Sequence, residues 1–259
     1  MDLGIKNKIA LVCASSQGLG LACATALARE GASVVINGRD QGRLDKAIAE
    51  IRSKTGSEAK SILADITTEV GRQTIFDACP NPDILINNNA GPVPGQLADW
   101  NHDVWINALE SNMLAPILLI RGYVTGMRER KFGRIVNITS AMVKSPRPHM
   151  ALSTSARTGL TAFSKSLSLD IAVDNVTINN LLPERIDTPR QEFLAERLVK
   201  LHQITYEEAR QRIINTIAAK RMGTPEEFAD ACAFLCSAQA GFISGQNLQL
   251  DGGSYPGLI

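Results

Sequence analysis

Apolar runs of strand length alternate with helical segments along nearly the whole chain, and this alternation limits the possible folds more than any other feature. KIALVC (8–13), SVVIN (33–37), KSILAD (60–65), DILIN (83–87), GRIVNI (133–138), VTINNL (176–181) and NLQLD (247–251) read as strands. Those near the middle are almost entirely apolar, as parallel strands covered on both faces must be. Helical patterns fill 18–30, 40–54, 67–79, 101–130, 154–173 and 225–237. The β-α-β rhythm predicts an α/β fold built on a doubly wound parallel sheet. No repeat, low-complexity tract or linker divides the 259 residues, so a single domain over 1–259 is expected.

Residues 189–222 interrupt the rhythm with a charged helical stretch in which Leu194, Leu198, Leu201 and Ile204 recur at helix spacing. The stretch follows a strand at the carboxyl edge of the sheet, where open α/β folds bind ligands. It reads either as a lid over a site or as a surface excursion that supports the fold. Its bases Arg197, Lys200, Arg210 and Arg212 read as a solvated helix face.

A net charge of +1 with no basic run argues against nucleic-acid binding. The longest apolar stretch, MLAPILLI at 113–120, is too short to span a bilayer. The N-terminus has an acid at its second residue and runs straight into a strand, which is unlike a signal peptide; a cytosolic protein is expected. Cys13, Cys23, Cys79, Cys232 and Cys236 are scattered and lack neighbouring His or Asp ligands, so they read as buried apolar thiols and no metal is expected.

After the first strand comes CASSQGLG, whose Gly18 and Gly20 open a helix. Glycines there let backbone N–H groups approach a pyrophosphate, and the helix N-terminus adds positive potential. The end of the second strand should read the adenosine ribose. There VVINGRD puts Gly38 where NAD recognition wants a carboxylate, followed by Arg39, whose fork matches a 2′-phosphate. NADP is therefore favoured over NAD, although Asp40 keeps NAD open and Arg39 could be a solvated helix-start residue.

Taken with CASSQGLG, LADI, NNNAG, GRIVNITS, LLPERIDTP, GTPEEFADACAFLCS and ISGQNLQLDGG, the chain resembles the short-chain dehydrogenase/reductase family, in particular its 3-oxoacyl-[acyl-carrier-protein] reductase-like branch, over nearly its whole length. The resemblance implies a Rossmann-like fold and an oxidoreductase acting on a carbonyl or alcohol. It implies that Ser140 hydrogen-bonds the substrate carbonyl and that Asn112 holds a water of the proton relay. The cofactor contacts it implies are Ala14, Ser15, Ser16, Gly18, Leu19 and Gly20 in the first turn, and Asp65, Ile66 and Asn88, Ala90 and Gly91 on the adenosine side. Pro183, Ile186 and Thr188 would meet the nicotinamide. Three asparagines stand where the family has two, which leaves the NNNAG register open by one residue. The apolar C-terminal strand and tail imply packing across a two-fold axis, hence a homotetramer.

The pattern departs at the reacting centre. The family's Tyr lies thirteen residues after its Ser and its Lys four later; here Ser153 and Arg157 occupy those places. A Ser hydroxyl is a weaker acid than a phenol on a shorter arm, and reaches a carbonyl only through water. Arg157 can donate to ribose hydroxyls but stays protonated and cannot relay. Ala14 replaces a turn glycine, which is tolerable if its backbone is not left-handed. Glu184 replaces the glycine of a Pro-Gly pair, and His149 is the only imidazole near the site; both are candidate acids by position. The alternative puts His149 on a surface loop and pairs Glu184 with Arg185 or Arg190. Three functions follow: an NADPH-dependent carbonyl reductase or alcohol dehydrogenase with an unusual proton donor, a silent nucleotide-binding homologue, or a non-redox lyase or dehydratase using Ser140 and His149.

Overall fold

The computed structural model describes residues 2–258. Seven strands form one parallel sheet in the order β3-β2-β1-β4-β5-β6-β7: β1 Ile9–Val12, β2 Ser33–Gly38, β3 Lys60–Leu63, β4 Ile84–Asn87, β5 Gly133–Ile138, β6 Val176–Pro183 and β7 Asn247–Leu250. Helices connect them: α1 Gly18–Arg29, α2 Gln41–Thr55, α3 Glu69–Ala78, α4 His102–Leu109, α5 Ala115–Glu129, α6 Ala151–Ile171, α7 Pro189–His202, α8 Tyr206–Asn215 and α9 Pro225–Cys236. The expected doubly wound α/β architecture is the one observed.

Alternate residues of the central strands enter two separate cores. Ala10, Val12, Ile84, Ile86, Val136 and Leu181 pack on one face with α1 and α9. Leu11, Leu85, Ile135, Val176 and Ile178 pack on the other with α5. This period of two, apolar on both sides, explains why these strands read as unbroken hydrophobic runs. Cys23, Cys232 and Cys236 are fully buried in the first core, as small apolar side chains would be.

The strand order reverses between β1 and β4, which opens a crevice beyond their carboxyl ends. The helical segment read over 101–130 is divided by a π-turn, Glu110–Leu114, that carries Asn112. Such turns are uncommon, and the strictly periodic pattern on either side hides this one from the sequence. The 189–222 stretch forms α7 and α8, which share a small core of Ala195, Ala209, Ile213, Ile217 and Met222. Phe193, Leu194, Leu198 and Leu201 of α7 line the crevice, so this pair of helices overhangs it. No helix among the described residues is long and apolar enough to cross a membrane.

Candidate active site

A cavity of about 950 Å³ runs along the carboxyl edge of the sheet, at the upper end of the range for small-molecule clefts. One end is built from the turn after β1. Gly18 has φ +58°, a left-handed conformation that suits glycine. A Cβ on Gly20 would lie 2.5 Å from the Ala14 carbonyl oxygen and 2.8 Å from Asn88 Nδ2, so only glycine lets α1 approach the turn this closely. Ala14 itself has φ +44°, so the condition under which an alanine would be easily tolerated is not met, and the turn holds an alanine in a left-handed geometry that suits glycine. Ser15 is buried, its hydroxyl donating to the Val12 carbonyl at 2.6 Å. Ala14, Ser16, Gly18 and Leu19 line the cavity, whereas Ser15 and Gly20 support the turn from behind.

Beyond β2, Arg39 is two-thirds exposed, and its Nη1 lies 3.4 Å from Asp65 Oδ2. Burial raises the Asp65 carboxyl, but the Thr67 N–H and hydroxyl together with Arg39 outweigh it and hold the group below its ordinary range. Asp40 caps α2, accepting from the Arg43 N–H at 2.9 Å. A side chain at Gly38 would crowd Leu44 and Ser16. Arg43, which sequence reasoning passed over, also lines this end and donates to Gln17 Oε1 at 3.4 Å.

Hydrogen bonds hold the NNNAG segment in place. Asn87 ends β4 and donates to Asn137 Oδ1, and Asn88 donates to the Ala14 carbonyl, tying the two turns together. The carbonyl of Asn89 accepts from Arg157 Nη2 at 3.4 Å, while its side chain donates to the Ser111 carbonyl in the π-turn. Ile66, Asn88, Ala90 and Gly91 all line the cavity.

Ser140 follows β5, and its Oγ accepts from the Met142 N–H at 3.2 Å, which leaves the hydroxyl proton free to donate. Ser153 and Arg157 lie one helical turn apart on α6 and both line the cavity. Ser153 is buried as a residue, and its hydroxyl makes no hydrogen bond to the described residues. Arg157 is also buried; Nη1 donates to the Ile138 carbonyl at 2.6 Å and to the Thr139 carbonyl at 2.8 Å. Its Nε has no partner. Burial first, and the Arg190 cation second, bring the guanidinium down to about 10. It therefore stays charged at neutral pH, but most of its donors serve the backbone.

Asn112 does not join them. It is buried in the π-turn outside the cavity lining, its Nδ2 donating to Ser111 Oγ at 2.7 Å and its Oδ1 unpartnered. His149 and Glu184 do reach the cavity. Glu184, however, is paired with Arg147 at 2.5 Å, a partner that neither Arg185 nor Arg190 supplies. Burial and the cations Arg147, Arg185 and Arg197 hold the His149 imidazole below its ordinary range, so at neutral pH it is a poor proton donor. Pro183, Ile186 and Thr188 border the same region. The bases of 189–222 are not one solvated face: Arg197 lines the cavity, and Arg210 forms a bidentate pair with Asp187 at 2.8 and 3.0 Å.

The family model described as enoyl-(acyl carrier protein) reductase matches residues 13–255. Dehydrogenase/reductase SDR family member 4 from Bos taurus is 35% identical over 98% of this chain and 89% of that protein. The NADPH-dependent reductase BacG of Bacillus subtilis is 32% identical over 98% of this chain and all of its own. The structure of L-sorbose reductase from Gluconobacter frateurii, complexed with NADPH and L-sorbose, superposes with a TM-score of 0.93 at 30% identity, each chain covered in full. The sheet order, the phosphate-type turn after β1 and these relatives agree: the chain belongs to the short-chain dehydrogenase/reductase family.

Proposed function

We propose that the protein is an NADP(H)-dependent oxidoreductase acting on a carbonyl or alcohol group, with Ser153 and Arg157 standing where the family has Tyr and Lys. One observation carries this reading: a single cavity brings the glycine turn and Arg39 together with Ser140. Residues 14–20 fit a dinucleotide, because the space a Cβ on Gly20 would fill is occupied by the turn that must cradle the pyrophosphate. Arg39, exposed and only loosely held by Asp65, is available to a 2′-phosphate, whereas Asp40 is engaged in capping α2. The NADPH named in the sorbose reductase complex and in the description of BacG supports the same choice.

When bound, NADPH supplies a hydride to the carbonyl carbon, and solvent supplies the proton that completes the alcohol. Ser140 donates to the carbonyl oxygen and stabilises its developing charge. Arg157, fixed beneath the end of β5, adds a fixed positive charge beside it. Ser153 holds a water that passes the proton, since its hydroxyl has no competing protein partner. Asn112 anchors the π-turn behind Asn89 and thereby positions Arg157 indirectly. The same reading takes residues 1–259 as one domain, assembled as a cytosolic homotetramer.

A silent nucleotide-binding protein is the second reading, favoured by the donors that Arg157 spends on backbone carbonyls and by the place of Asn112 outside the cavity. A panel of ketones with saturating NADPH separates the two. The reductase reading expects slow turnover by the homogeneous protein, lost in Ser140→Ala and raised about 10²-fold in Ser153→Tyr/Arg157→Lys. Nucleotide binding without any turnover in the unaltered protein would establish the silent reading instead.

A further inference from the structure

The end of the cavity away from Arg39 carries far more positive charge than its own carboxylates balance. Arg147, Arg157, Arg185, Arg190 and Arg197 line it, and the one acid among the lining residues there is Glu184, already paired with Arg147. Among the described residues, Arg185, Arg190 and Arg197 form no salt bridge with a carboxylate, and Glu184 favours the Arg185 cation only from a distance. Arg190 donates to the Pro92 carbonyl at 3.0 Å and lies 5.5 Å from the Phe193 ring, contacts that hold it in place without neutralising it. Arg185 makes no side-chain hydrogen bond, and its Nε is buried and unpartnered.

The Arg185 backbone is also strained. Its φ of +59° is a left-handed conformation uncommon for an arginine. Like charges brought together in a half-buried cleft repel one another and lose hydration, so the arrangement persists at a cost unless an anion joins it. Burial, then Arg147, lowers the proton affinity of Arg185 against an opposing pull from Glu184, and burial, then Arg197, lowers that of Arg190. Guanidinium forks match the two oxygens of a carboxylate or phosphate.

Resting on the oxidoreductase reading of this cavity, we propose that the substrate is a small anion: a carbonyl or alcohol compound whose carboxylate or phosphate is held by Arg185, Arg190 and Arg197. Ser140 then takes the carbonyl end and the cluster takes the charged end. This orients the reacting carbon and selects against neutral ketones and sugars.

The test uses the purified chain saturated with NADP⁺ and titrated calorimetrically with malonate, inorganic phosphate and the neutral isostere malonamide. The proposal expects malonate or phosphate to bind and malonamide not to. The stronger of the two anions identifies the charged group. Arg185→Asn, which tolerates the left-handed backbone, and Arg197→Gln, on the exposed face of α7, should each weaken anion binding at least about tenfold. NADPH affinity in both should stay unchanged, which shows that they fold. Equal binding of malonamide, failure of both anions, or unchanged affinity in both variants overturns the proposal. So does anion binding that NADP⁺ abolishes, since the cluster would then serve the cofactor's phosphates. Failure of NADPH to bind would instead strike the oxidoreductase reading, and the nucleotide-free titration would still report on the arginines.

Discussion

The two ends of the cavity handle charge differently. At the ribose end, Arg39 and Arg43 are accompanied by Asp65 and Asp40, and Arg39 already touches Asp65 at 3.4 Å. At the far end, five arginines share Glu184. The first end is nearly balanced and solvated, so it can discriminate by one added phosphate without holding strain of its own. The second is underbalanced and partly buried, and its stability and its ligand preference are the same electrostatic fact. Arg157, the member of the five nearest the reacting centre, is held by backbone carbonyls and not by an acid.

The ribose end depends most on the turn after β1. In Gly20→Val the side chain would collide with the Ala14 carbonyl and Asn88, so NADPH binding should vanish and urea unfolding should report a loss of about 3 kcal/mol. Arg39→Ala should weaken NADPH about tenfold, the worth of a charge-assisted hydrogen bond, and leave NADH unchanged. Parallel nucleotide titrations check it. Ala14→Gly relieves the left-handed alanine and should raise stability by about 0.5 kcal/mol in the same urea assay, because the gain in the turn exceeds the added freedom of the unfolded chain.

The smallest effect sharpens the far end. His149 should titrate below 6.5 by NMR, because protonating it adds a charge beside Arg147, Arg185 and Arg197. Its midpoint should rise toward 6.5 in Arg197→Gln and when malonate is bound. The sign for stability follows: the unfolded chain holds this proton more tightly, so acidification through that range favours unfolding.

The sheet, its helices and the glycine turn were legible in the sequence because they rest on local periodicity and on backbone geometry that few residues allow. Counting from Ser140 points to Ser153 and Arg157, and α6 sets both in the cavity lining one turn apart. The arginine cluster was not legible. Arg147 comes from the β5–α6 loop, Arg185 from the turn after β6, and Arg190 and Arg197 from α7, so only the folded crevice brings them together. Within α7 alone, Arg197 has the spacing of an ordinary solvated residue. Asn112 was placed by the resemblance alone, and the π-turn that carries it, off the cavity lining, has no signal in the sequence. The left-handed backbone at Ala14 was equally hidden, since an alanine carries no signal for it.

On the proposed reading this crevice is an NADP(H) site. Titrating the purified protein with NADPH and with NADH, followed by nucleotide fluorescence, tests it most directly. Saturable NADPH binding at least about tenfold tighter than NADH is the predicted result, a difference of about 1.4 kcal/mol. Equal affinities would contradict the role of Arg39, and no binding of either nucleotide would contradict the reading itself.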